Sequence, residues 1–450
     1  MQRTAAVLSS RFPLREGQSF HTVMVSAGVA LLGFGSLLST ASIYLALGLL
    51  AVLAASEGRP FLRFCARSPW AWLVVGLTVY MALRLLIAQQ ALPDQADAIS
   101  KHGRQLAMVA GLPALFLAWH LGRDPKRVIL LLTGLVGSLT VFFFLEAGWS
   151  ALSHYLVEGG GGRLQFGGHK NAIGGLYGGG EIAALYLVTV LVKQLRQHRW
   201  GWAGIALLVL LVGMAALFFL VVIWNQSRTA WLGLVLALVP VALYALGRFH
   251  RAERVSREAG VITAVVLLLA VLAWNYSATL EKRAAGLVDG FRGASELQLD
   301  DAATGSVEYR VRLLMAGWEA LGEKPLSGWG PGRFDFVIAE VGGGNLRDLN
   351  HFHNFYIQMA VGFGMIGLVG FLAVFLLPLR DTWCLFRERS LSPHFTLLVI
   401  ATWVYLLTLN GATIRHDDPV GQAYFVMALG IAGVASVKRR GEIAGEGAEA

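Results

Sequence analysis

The stretch HFHNFYIQMAVGFGMIGLVGF, His351 to Phe371, joins two environments that rarely meet within a few residues. Its head carries two histidines and an asparagine. From Phe355 onward it is apolar and can begin a bilayer-spanning helix, which needs about 20 residues at about 1.5 Å of rise each. Gly364 follows His353 by eleven residues, which is close to three whole turns at about 3.6 residues per turn. A continuous helix would therefore put His353 and Gly364 on one face, with Gly367 a turn beyond. Small residues let a neighbouring helix approach closely, so the glycines are expected to dock the helix while its upper end holds His353 at the rim of the membrane.

The rest of the chain has the same character. Of 450 residues, 56% are hydrophobic and 14% charged, against about a quarter charged in an average soluble domain. The apolar residues come in blocks of bilayer-spanning length, and lipid accepts only structures that satisfy every backbone group internally. The chain is expected to be an all-α polytopic membrane protein with about twelve transmembrane helices. These fall near 21–38, 41–55, 70–89, 105–120, 128–147, 172–192, 202–223, 229–247, 260–277, 354–378, 394–410 and 419–436. The first run leads straight into more membrane and reads as an anchor, not a cleaved signal. Four parts follow: nine helices in 1–277, a loop domain at 278–352, three helices in 353–437, and a disordered cytoplasmic tail at 438–450.

Orientation follows from the bias of Lys and Arg towards cytoplasmic loops. Basic triplets or quartets recur at the N-terminus (Arg3, Arg11, Arg15) and in every second loop, from Arg59, Arg63 and Arg67 to Arg380, Arg387 and Arg389. Lys438, Arg439 and Arg440 end the series. They hold more than half of the 37 basic residues and put both termini in the cytoplasm. The net charge of +9 is thereby explained by membrane anchoring, and nucleic acid is not expected as a partner; the bilayer is. The two cysteines, Cys65 and Cys384, both fall on the reducing side, which excludes a disulfide or a thiolate site on the other.

The basic residues that this rule does not require are concentrated at 278–352, the external loop, which is too long for a connector. Part of it is helical in pattern: in SVEYRVRLLMAGWEALGEK, Val307, Val311, Leu314, Trp318 and Leu321 recur at steps of four and three. Arg312 stands four residues after Glu308, a favourable helical pair, whereas Arg310 has no acid three or four residues away. Arg228, in WNQSRTAWLG at the junction of the seventh and eighth spans, also has no local carboxylate. An arginine at membrane depth costs roughly 2.5–3.5 kcal/mol on insertion scales, so it needs a reason: snorkelling to headgroups or holding an anion. Arg84, in VYMALRLLIAQQ, is expected to make a structural pairing. For His353, a helix N-terminus and nearby arginines both disfavour the imidazolium, so a neutral ring is expected near pH 7. Such a ring either caps the helix or takes a proton from an incoming hydroxyl.

Together these residues carry a resemblance. HN followed by nine residues and GxxG resembles the signature of the O-antigen ligase and polymerase superfamily. SRTAWLG is similar to its Ser-Arg segment at a helix head, and YRVRLLMAGWEALGEKPLSGWGPGRF to its Arg-led loop helix ending in Pro-Leu-x-Gly-x-Gly. O-antigen ligase is the member most resembled. The likeness covers the topology of most of the chain and sequence motifs in about 228–370. It implies a glycosyltransferase-C type of membrane architecture and matches Arg228, Arg310 and His353 to the family's functional positions. Arg312 competes with Arg310 for its position. His351 and Asn354 fall in the His-x-His-Asn variant of the last motif. FGGHKNAIGG is similar to a weaker Asn-containing motif through Asn171, with Lys170 where proline is usual. Arg163, in the preceding glycine run, is a further substrate-binding candidate.

The implied reaction moves an O-antigen polysaccharide from undecaprenyl pyrophosphate to lipid A–core at the periplasmic face of a Gram-negative inner membrane. Arginine forks match phosphate oxygens without titrating, and no compact external cluster of Asp, Glu and His suggests a metal or any other cofactor. Three alternatives accompany this expectation. A polymerase would use the same donor and a lipid-linked repeat as acceptor, and a protein glycosyltransferase would use protein hydroxyls. A transporter is disfavoured by the few ionisable residues in the spans.

Overall fold

The computed structural model describes residues 16–37, 39–97, 99–101, 103, 110–157, 163, 164, 166, 170–197, 201–251, 274, 276–278, 281, 285, 306–341, 349, 351–411 and 419–446. Among them the backbone forms fifteen α-helices and no strand. These are α1 (Glu16–Gly35), α2 (Thr40–Ser56), α3 (Arg59–Arg67), α4 (Pro69–Ala91), α5 (Leu112–Arg123), α6 (Pro125–Glu146), α7 (Gly148–Leu156), α8 (Lys170–Gln197), α9 (Trp202–Asn225) and α10 (Arg228–Arg251). After the stretch that lies mostly outside the described residues come α11 (Ser306–Glu323), α12 (Phe334–Val341), α13 (Phe355–Arg387), α14 (Pro393–Asn410) and α15 (Pro419–Glu446). The chain is an all-helical, polytopic membrane protein.

Several helix starts repeat one local device. Ser68, Asp124 and Ser392 each accept a hydrogen bond from a backbone N–H of the first turn, at 3.3, 3.0 and 3.2 Å. Each is followed by proline at the first helical position. The cap satisfies an orphan donor, and proline sets φ where no donor is needed.

The described residues hold 8 helices long and apolar enough to cross a membrane, or 9 if one bent pair is a single span, where the hydropathy pattern suggested twelve. The apolar part of α1, Phe20–Gly35, is short of a span, and α2 turns by 97° into α3 at Gly58, which has φ +61°. The span expected at 105–120 is represented by α5, of 12 residues, with 104–109 outside the described residues. Most of the span expected at 260–277 and of the loop at 278–305 also lies outside them. Hydropathy registers how much apolar chain is available but not where a cap or a left-handed glycine divides it. The last helix runs on to Glu446, past the end expected near residue 436.

α15 is the central post. Its apolar window, within Pro419–Arg440, is 94% buried. Leu117 of α5 packs on Gly430, and Trp70 and Ala118 pack on Gly433. At the other end of α13, Asp381 receives hydrogen bonds from Ser436 Oγ and Arg439 Nη1 of α15, both at 2.7 Å. A second, smaller core joins α11 and α12 to the top of α13, through Leu313, Ala320, Phe334, Val337, Ile338, Phe352, Ile357 and Val361. The stripe expected on α11 is met in part: Val307 and Leu321 are buried and Leu314 packs on this core. Trp318 is 63% exposed, and Leu313, Ala316 and Ala320 are fully buried. Gly317 lies against Ile357 and Phe352, so the face of small residues governs the contact because it allows the closest approach to α13.

α13 is not continuous. Gly364 has φ +67° and ψ −174°, and the helix breaks there. In an unbroken helix Met365 N–H would reach Val361 O, and Ile366 N–H would reach Gly362 O. Instead the PLSGWG turn between α11 and α12 enters the gap. Met365 N–H donates to Pro325 O at 2.8 Å and Ile366 N–H to Leu326 O at 3.4 Å. On the other side Trp329 N–H donates to Val361 O at 2.7 Å and Gly330 N–H to Gly362 O at 3.0 Å. The four backbone groups that those two helical bonds would have joined each find a partner in the turn. A Cβ on Gly328 would come within 2.5 Å of Gly364 N, and one on Gly364 would overlap Leu326 O. The expected shared face of His353 and Gly364 is therefore not formed: Gly364 admits a loop and bends the chain, whereas Gly367 does meet a neighbouring helix, through Tyr80 of α4.

Candidate functional site

The head of α13 is built by alternation. Phe352 points into the small core, fully buried, with its ring 6.2 Å from that of Phe334. The residues on either side of it, His351 and His353, are half-buried. Their rings meet, His351 Nε2 lying 3.2 Å from His353 Nδ1. His353 adopts φ +52°, an uncommon conformation for a non-glycine residue, though less so for histidine. Asn354 closes the helix start. Its Oδ1 accepts from Tyr356 N–H at 3.0 Å and Ile357 N–H at 3.1 Å. Its Nδ2 donates to Gly411 O at 2.8 Å, just beyond the end of α14.

Arg228 is the first residue of α10. The turn before it is tight: Gln226 takes φ +54°, and Ser227 O accepts Trp231 N–H at 3.0 Å. The segment carrying Arg163 is laid along this turn. Arg163 Nε donates to Asn225 O at 2.5 Å, Leu164 N–H to Trp224 O at 2.9 Å, and Asn225 Nδ2 to Leu164 O at 3.2 Å. Asn225 is fully buried and ties two of the candidate segments together. Sequence reading passed over it, although an asparagine closing an apolar run three residues before Arg228 was the available signal.

Arg310 and Arg312 stand two residues apart on α11, about 200° around the helix, and meet different surroundings. Arg312 is 2% exposed. Arg310 is half-buried, and its guanidinium is held below its ordinary value first by burial and then by the positive charge of Arg228. His353 is lowered to about 4, first by burial and then by His351 and Arg310. The charge of Arg228 acts on Arg310 and that of Arg310 on His353, whose ring touches His351, so the four lie in one neighbourhood. They come from the head of α10, the first turns of α11 and the head of α13. Arg228 and Arg310 make no ion pair with a carboxylate among the described residues. Such a neighbourhood favours an anion, and at neutral pH the imidazole of His353 is uncharged and has a lone pair to offer.

Asn171 belongs to the first turn of α8; its side chain lies outside the described residues. Further along that helix, Gly174 lies against Asn225, Ser227 and Ala230, which brings the top of α8 to the turn before Arg228. Among the described residues no three His, Cys, Asp or Glu side chains gather as a metal site would require. Cys65 and Cys384 are free thiols.

Residues 213–372 match the family described as O-antigen ligase, which bears out the resemblance carried by the motifs. The matched stretch runs from within α9 to α13 below its break. It contains Arg228, Arg310, Arg312, His351, His353 and Asn354, and leaves Arg163 and Asn171 outside. No curated protein matches the chain.

Proposed function

We propose that this chain is an O-antigen ligase. It transfers polysaccharide from undecaprenyl pyrophosphate to lipid A–core at the periplasmic face of the Gram-negative inner membrane, with both termini cytoplasmic. The observation that carries this reading is the common electrostatic field of Arg228, Arg310 and His353, three residues from distant parts of the chain, inside the matched ligase region. The donor is a lipid diphosphate. When its glycosidic bond breaks, the electron pair leaves with the diphosphate, and the arriving charge is stabilised most by cations already in place. Arg228 and Arg310 repel one another in the free protein, and a diphosphate between them relieves that repulsion.

The acceptor hydroxyl attacks the anomeric carbon as the bond to the diphosphate breaks, giving inversion. Its proton goes to His353. In the tautomer whose His353 Nδ1–H donates to His351 Nε2, the lone pair on His353 Nε2 is left for the hydroxyl. A ring held near pH 4 is a weak base, so orientation of the hydroxyl contributes more than proton removal. Arg312, buried in α11, supports the helix, and Asn354 supports the turn. Arg163 lies beside the head of α10 and lines the donor's approach, and Asn171, in the first turn of α8, is the other substrate-binding candidate. No cofactor or metal takes part.

Purified protein, undecaprenyl-pyrophosphate-linked O-antigen and lipid A–core, with EDTA present, are expected to yield ligated lipopolysaccharide. Elongated lipid-linked polymer would identify a polymerase of the same superfamily. Absence of any glycan transfer, with uptake into proteoliposomes, would reject the transferase reading.

A further inference from the structure

α4 runs alongside α13 in a simple register. Trp70 Nε1 donates to Val374 O at 3.0 Å; that carbonyl has lost its helical donor because Pro378, four residues on, has no N–H. Leu77 lies on Gly370 and Tyr80 on Gly367. Above this level α13 breaks at Gly364, and the neighbour of α4 changes. Tyr80 Oη donates to Phe363 O, on the upper lip of the break, at 2.7 Å. One turn further, Arg84 Nη2 donates to Gly328 O in the inserted turn at 2.9 Å. One turn beyond that, Ala88 lies on Gly330. Thus α4 packs on α13 below the break and on the PLSGWG turn above it, and at the crossover Tyr80 and Arg84 donate to main-chain carbonyls.

The turn and the break connect the two halves of the candidate site. Arg310 is on α11, which leads into the turn at Lys324–Leu326, and His353 is at the top of the α13 segment whose lower end is the break. α11 also rests on that segment through Gly317 and Ile357. The angle at the break therefore sets how α11 and the upper part of α13 stand on the bundle. We infer that Arg84 and Tyr80, which lie outside the matched ligase region, are positioning residues that clamp the inserted turn into the broken helix and so fix Arg310 relative to His353. Arg84, expected only to make some structural pairing, has a carbonyl partner and a defined task. The catalytic consequence rests on the transferase reading; the clamp stands on geometry alone.

Two measurements on one protein test both parts. With Cys65 and Cys384 replaced by serine, spin labels at Glu319→Cys on α11 and Val369→Cys on α13 below the break, both exposed, report the angle at the break. The unmodified pair is expected to give a narrow distance distribution and Arg84→Gln a broadened one. In the transfer assay, Arg84→Gln is expected to lower kcat about tenfold to a hundredfold, the scale of small misplacements of reacting groups, with KM within about twofold. Arg84→Lys should recover part of the loss. Tyr80→Phe, which keeps the ring and removes one donor, should show the same effects more weakly and serves if Arg84→Gln does not fold. An unchanged distribution in Arg84→Gln and Tyr80→Phe overturns the clamp. A broadened distribution with unchanged kcat overturns positioning. If the unmodified protein transfers no glycan, the transferase reading fails while the distance measurement still decides the clamp.

Discussion

His353 and the two arginines that share its field make the most specific demands on single side chains. His353→Ala is expected to reduce transfer by about a hundredfold to ten-thousandfold, the range for a group that moves or orients a proton. Its melting temperature should stay within a few degrees, because the half-buried ring anchors no core. Arg228→Ala and Arg310→Ala should each lose about a hundredfold to a thousandfold in kcat, as removal of a fixed donor to developing charge does. Arg312→Ala should instead act on stability, since it vacates a site that is 2% exposed; a thermal melt beside the transfer assay separates the two arginines of α11. The field also sets the pH response. His353 is lowered to about 4 from its ordinary value near 6.5, so between these values the unfolded chain binds the proton that the folded site refuses. Folding stability falls as pH drops through that window. The acid limb of kcat/KM is expected towards pH 4, and His351→Asn should move it upward by removing one source of repulsion. An acid limb near 6.5 in the unmodified protein would contradict a desolvated, cation-flanked ring.

At the scale of elements, the decisive unit is the broken α13 with its inserted turn. Gly364 and Gly328 have φ of +67° and +68°, and a Cβ on either would press on the backbone of the other segment. Strained backbone alone costs about 1–3 kcal/mol per residue, and the overlap adds to it. Gly364→Ala and Gly328→Ala are each expected to destabilise by at least about 2 kcal/mol, read as a lower melting temperature in detergent. Gly76→Ala, in open space on α4, should be neutral or slightly stabilising. The other helix junctions were more legible. The Ser-Pro and Asp-Pro pairs announce the starts of α4, α6 and α14 because cap and proline act within one turn. The break at Gly364 has no such local signature. Its glycine pattern fits close helix packing equally well, and only the arrival of residues 325–330 decides between the two.

For the whole molecule, α15 is the post on which the other helices assemble, and the Asp381–Ser436–Arg439 network fastens α13 to it at the end away from the candidate site. Asp381→Ala is expected to destabilise by about 1–3 kcal/mol, the cost of leaving a buried network partly unsatisfied, while the transfer activity of the folded fraction stays unchanged; a melt with an activity assay checks both. Alone, the sequence determined that this is an all-helical membrane protein, that its basic residues cluster between apolar runs, and that Arg228, Arg310 and His353 are unusual. Those properties follow from local composition: lipid excludes irregular backbone, and a charge without a neighbour of opposite sign is visible in the chain itself. It misplaced Trp318, which is 63% exposed, on the buried face of α11. It could not show that Arg310 and Arg312 meet different surroundings, that Arg84 reaches a carbonyl 244 residues away, or that three separate segments share one field. Those were decided by tertiary structure, because burial and Coulomb interaction depend on distances between residues far apart in the chain, and no periodicity within a helix records them.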